Sequence, residues 1–124
     1  MALPAKLQND LKQFQRLQQD LSNVAQQRLQ FDLKLREAVH TLDELQTLAE
    51  ETPIYRPIGG LLVKAKGKTE VVELLTEEKE TLEVRLKALE RQEGHLKEKY
   101  TQMQKELTDA LDKAGVVAAA EGEA

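Results

Sequence analysis

The chain has 124 residues, a formal net charge of −4 with both signs interspersed, no cysteine and only 3% aromatic residues. Without cysteine there is no disulfide, no thiolate metal site and no cysteine nucleophile, and a reducing, cytoplasmic setting is expected; without a concentrated basic stripe there is no nucleic-acid-binding face. Two Phe, two Tyr and no Trp give too little bulk for an ordinary globular core, while Ala, Glu, Lys, Leu and Arg make up more than half the chain, so apolar surface is expected along a helical seam. The longest apolar stretch falls far short of the ~20 residues of a membrane span, and MALPAKLQND carries no apolar core followed by a cleavage site, so no membrane association is expected.

In chain order, apolar residues first recur at two interleaved seven-residue spacings over about residues 3–49. Leu7, Phe14, Leu21, Leu35, Leu42 and Ala49 form one series, and Leu3, Leu17, Val24, Phe31, Ala38 and Leu45 the other. These are a and d positions of a heptad repeat, broken only by Arg28 at a and Asp10 at d. The Gln-rich runs 13–19 and 26–30 suit a solvated helix face, because the apolar period continues through both.

The stretch IYRPIGGLLVK, residues 54–64, interrupts this pattern. Pro53 and Pro57 prevent helix, whereas Ile54, Tyr55, Ile58, Leu61, Leu62 and Val63 favour strand. Gly59-Gly60 is expected to supply the positive φ angles of a two-residue turn. A β-hairpin is predicted. Two strands alone are marginal in water, and no other strand is predicted to pair their edges or cover six apolar side chains, so the partners are expected to be other chains.

A second heptad series follows over about residues 69–113. Leu75, Leu82, Leu89, Leu96, Met103 and Ala110 stand at d, and Val72, Leu86, Tyr100 and Leu107 at a, with Lys79 and Glu93 as polar exceptions. Thr69 is the expected N-cap and Glu70 and Glu73 sit at the positive end of the helix dipole. Glu83/Lys87, Glu93/Lys97 and Asp109/Lys113 are favourable i,i+4 pairs. Gly94 weakens the helix interior by about 1 kcal/mol relative to Ala. Gly115 reads as a C-terminal stop, with a frayed tail beyond it.

The organisation expected is therefore one domain over residues 1–124, mainly α: helix over 1–50, β-hairpin connector over 51–68, helix over 69–113 and flexible tail over 114–124. Helices of ~65 to 70 Å joined by a short connector imply an antiparallel two-helix coiled coil. Antiparallel registers bring Arg28 within about one turn of Glu93, where the two polar breaks can neutralise each other or snorkel separately.

Catalysis is not expected. The histidines, His40 and His95, lie on different helices and are separated axially by ~20 Å, too far to share a metal or a proton. Glu77, Glu78 and Glu80 read as a solvated face. Gly67-Lys68-Thr69 lacks the preceding glycine and parent strand of a phosphate loop. No catalytic residue, metal site or cofactor follows from these residues.

With IYRPIGGLLVK at the bend and ETLEVRLKALERQE at 80–93, the chain resembles the β subunits of the archaeal prefoldin family over nearly its whole length. Pro57 stands where that family tolerates a strand residue able to donate a backbone hydrogen bond, and Gly94 interrupts a helix-favouring stretch. An edge strand or the approach to a turn would accommodate Pro57. The resemblance implies a heterohexamer of two alpha and four beta subunits, with hairpins combining into a β-barrel platform and coiled coils hanging from it. It also implies ATP-independent holding of non-native proteins and their delivery to a group II chaperonin.

At the helix ends the seam stays apolar, with Leu3, Leu7 and Leu11 on one side and Leu107, Leu111, Val116 and Val117 on the other. Weak apolar contact at several such tips would capture unfolded clients by avidity. Leu7 and Leu107 read more simply as the last coiled-coil layers. Asp109, Asp112, Glu121 and Glu123 make the C-terminal end acidic, which fits either solvated charge or steering towards a basic chaperonin surface. A second function class fits the same pattern: a structural coiled-coil scaffold or tether, clipped into oligomers by its hairpin.

Overall fold

The computed structural model describes residues 3–115. Helix α1, Ala5–Gln46, is followed by strands β1, Tyr55–Ile58, and β2, Leu61–Lys64, and by helix α2, Lys68–Lys113. The strands form one antiparallel sheet in the order β1-β2. The chain divides into two compact units, one holding the described residues of Met1–Gln27 and Leu89–Ala124 and the other Arg28–Ala88.

The heptad pattern dictates burial. Every expected a and d position from Leu3 to Leu45 and from Val72 to Ala110 is buried or half-buried. In the first unit Leu7, Leu17, Val24 and Leu107 are buried, and Phe14 stacks on Tyr100, both a residues, with ring centroids 4.9 Å apart. The Gln18 amide donates to the Tyr100 hydroxyl at 3.4 Å. Glu93, a polar exception at a, is 6% exposed, and the Lys97 ammonium lies 3.0 Å from its carboxylate. In the second unit Ala38, Leu45, Val71 and Leu82 are buried, and the Arg85 guanidinium lies over the Phe31 ring at 5.8 Å. At the start of α2 the buried residue is Val71, and its neighbour Val72 is half-buried. Among the described residues none of the large side chains is less than 2% exposed. A seam two helices wide has no enclosed interior.

The helix termini differ from expectation in two places. Helix α1 stops at Gln46, where Thr47 and Leu48 donate N–H bonds to the carbonyls of Glu44 and Leu45 at 3.1 and 3.2 Å. No basic residue stands in its last turn. Lys68, from the first turn of α2, supplies the missing cation: its ammonium donates to the carbonyls of Leu48 at 3.0 Å and Gln46 at 3.5 Å. Those acceptors lie where a helix leaves its carbonyls unsatisfied and its dipole favours positive charge. Helix α2 begins before Thr69, so Thr69 is not the cap. The Gly67 carbonyl accepts the first helical bond, from Val71 at 3.3 Å, and Glu70 reaches back to accept the Lys66 N–H at 2.9 Å. The Glu70 carboxylate thus ties the residue before the cap to the first turn of α2. At the other end Gly115, at φ 78°, donates to the Asp112 carbonyl at 2.9 Å, closing α2 with the left-handed residue that glycine adopts without strain.

Candidate functional site: an exposed hairpin and two helix ends

The hairpin register is Tyr55↔Lys64, Arg56↔Val63, Pro57↔Leu62 and Ile58↔Leu61, around a two-residue loop of Gly59 and Gly60. The Ala65 N–H extends the ladder by one bond, to the Ile54 carbonyl at 2.9 Å. Of these two glycines only Gly59 has a positive φ, 59°. The expectation of two positive φ angles is thus corrected: positive φ at the first central residue only is the pattern of a type II′ turn, which also matches strand twist.

All eight strand residues are exposed. Side chains opposite each other point to the same face, so Tyr55, Pro57, Leu62 and Lys64 share one face and Arg56, Ile58, Leu61 and Val63 the other. Each face is apolar but for one cation, Lys64 on the first and Arg56 on the second. Leu61 and Leu62, on opposite faces, are 70% and 73% exposed, against 6% for Leu7 and 7% for Leu82 in the helices. Ile54, just before β1, is half-buried. Among the described residues no other strand pairs with either edge. Burying one such side chain contributes roughly 1.5–3 kcal/mol, so five exposed ones, Tyr55, Ile58, Leu61, Leu62 and Val63, leave a large unrealised driving force for association.

The helix ends belong to the other unit. Leu7 and Leu107 are buried at 6% each, whereas Leu3, Leu11 and Leu111 are half-buried. Val116, Val117, Glu121 and Glu123 lie outside the described residues. Further along the same unit, Leu17 and Met103, with Leu96, line a shallow groove between the helices, flanked by Arg16, Asp20 and Glu106. A flexible thioether at a d position is the signal that marks such adaptable surface in a sequence.

Some exposed apolar residues escape heptad reasoning altogether. Leu29 and Leu33 on α1 and Val84 on α2 are more than half exposed, at b and f positions on the outer faces of the helices. His40 lies on such an outer face and meets Glu44, one turn on, at 3.1 Å. Among the described residues no helix is long and apolar enough to cross a membrane.

Comparison with known proteins places this arrangement. Residues 8–114 match the family model described as prefoldin subunit. The chain is 45% identical over 109 residues to a prefoldin subunit beta of Archaeoglobus fulgidus, covering 88% of this chain and 93% of that one. It is 42% identical over 107 residues to its counterpart in Thermoplasma acidophilum, covering 86% of both. The crystal structure of the prefoldin beta subunit from Thermococcus strain KS-1 superposes with a TM-score of 0.77 at 41% identity, covering 89% of this chain and 96% of that one. With two long helices, a two-stranded hairpin between them and these likenesses along most of its length, the chain belongs to the prefoldin subunit family, in its archaeal beta-subunit branch.

Proposed function

We propose that the chain is one subunit of an ATP-independent cytosolic chaperone that holds non-native proteins at its helix ends and delivers them to a group II chaperonin. Its hairpin joins it to other subunits in a shared β-barrel platform, in a hexamer of two alpha and four beta chains. No step in this work requires catalysis. The observation that carries the reading is the hairpin: largely apolar on both faces, unpaired at both edges among the described residues and sited in the sequence between two helices that bury their own seams. Such a segment finds its burial only in company. The half-buried Leu3, Leu11 and Leu111 at the helix termini offer the adaptable apolar contact that holding requires, and several tips acting together turn weak contacts into retention.

Removing residues 1–11 together with 112–124 is expected to leave assembly mass unchanged and to abolish suppression of client aggregation, measured by light scattering of a thermally unfolding substrate. Undiminished suppression would instead favour a scaffold or tether.

A further inference from the structure

Lys68 stands where its own helix disfavours it. It is the first residue of α2, at the positive end of the dipole, where an anion such as Glu70 is stabilising and a cation is not. Helix α1, conversely, ends at Gln46 with no basic residue in its last turn. One side chain resolves both faults by reaching out of its own helix. The ammonium of the half-buried Lys68 donates to the Leu48 carbonyl at 3.0 Å and the Gln46 carbonyl at 3.5 Å. A residue that breaks a local rule and is compensated at long range marks a functional position more often than a neutral one.

The clasp sits at the root of the hairpin. The exit arm, residues 65–67, is short and held at both ends: the Ala65 N–H donates to the Ile54 carbonyl at 2.9 Å, and the Lys66 N–H to the Glu70 carboxylate at 2.9 Å. The entry arm, residues 47–54, is longer. Its backbone donors Thr47, Leu48 and Thr52 bond only three residues back, to Glu44, Leu45 and Ala49, so they shape the arm without anchoring it to α2. Lys68 supplies that anchor. With it both arms of the hairpin are tied to the first turn of one helix, and every residue involved belongs to the same compact unit, Arg28–Ala88.

We propose that Lys68 is a positioning residue for subunit assembly: its hold on the Leu48 and Gln46 carbonyls fixes the orientation of the hairpin on the helix ends before any partner arrives. It acts through the root of the hairpin and not by contact across a junction. A hairpin on a loose root presents its faces in many orientations, and the ordering cost then falls due on association. If about one orientation in ten is competent, affinity drops about tenfold. This rests on the reading that the hairpin joins subunits.

The chain has no cysteine, so nitroxides on His40→Cys and Arg56→Cys, both exposed positions of the one unit, report the orientation directly. Their distance distribution is expected to be narrow in the otherwise unaltered chain, to broaden with Lys68→Met and to narrow again with Lys68→Arg, which restores a cationic donor. Titrating the full-length chain with a prefoldin alpha subunit from the same cell is expected to show about tenfold weaker association for Lys68→Met and recovery for Lys68→Arg. Leu82→Ala, which costs the helices more stability, is expected to weaken association less. An unchanged distance distribution in Lys68→Met overturns the positioning role, as does loss of amide protection at Ala65, which would mean that the hairpin had melted. Association as tight as wild type, or a loss matched by Leu82→Ala, overturns the link to assembly. Failure of the unaltered chain to associate, with the distances behaving as expected, overturns the joining reading and leaves the clasp standing.

Discussion

The hairpin and the helices use the same apolar residues to opposite effect. Leu82 in α2 and Leu62 in β2 are chemically identical, yet one is 7% exposed and the other 73%. The difference lies in what the chain supplies as a partner. Each helix finds in the other a stripe of matching period, whereas the hairpin has two faces and two edges and, among the described residues, no further strand to set against them. Local propensity selects a conformation; burial depends on whether a complementary surface belongs to the same polypeptide.

The sharpest way to break this contrast is to make the hairpin polar. Replacing Ile58, Leu62 and Val63 by Ser is expected to release monomers with undiminished helical circular dichroism, an effect of 100-fold or more on association on the order of 1.4 kcal/mol per factor of ten. Retention of the native assembly mass by sedimentation would refute it. Truncating the helix seam should do the reverse. Leu82→Ala is expected to destabilise the helices by roughly 2–3 kcal/mol, towards the low end for buried leucine because the seam can collapse, with subunit assembly retained at low temperature. Smaller effects sharpen the boundary between the regions. Lys68→Met removes the cation from the end of α1 and is expected to lower stability by about 0.5–1 kcal/mol and to speed amide exchange at Thr47 and Leu48. Gly94→Ala should raise stability by about 0.5–1 kcal/mol in thermal melts, since beyond the neighbouring backbone of its own helix a methyl group there meets nothing within 4 Å and the backbone is already helical.

Heptad spacing made the seam legible from sequence because side-chain burial in a two-helix contact follows the period directly; even Asp10, Lys79 and Glu93, polar at seam positions, are drawn at least half inside. The hairpin was legible for a similar reason: paired prolines, β-branched residues and Gly59-Gly60 act within a few residues of one another. What sequence does not carry is contact made at long separation. Lys68 capping a helix that ends 22 residues earlier has no local signature. The start of α2 at Gly67 and not Thr69 escapes for a different reason, because glycine caps a helix without a side chain to signal it. The φ sign at Gly60 escapes because either primed turn accepts glycine there. Leu29, Leu33 and Val84 escape because a seam-based reading follows only two positions in seven.

Among the described residues none of the large side chains lies deeper than the 2% level, so every layer of the seam is one side chain away from water. Resistance to heat then accumulates additively along the length, as it does in stacked-repeat proteins, and is not vested in a single nucleus. Warming is expected to melt the paired helices progressively from whichever extremity is least stabilised, giving a broad calorimetric endotherm, and each partly melted form would still present the intact remainder to its neighbours.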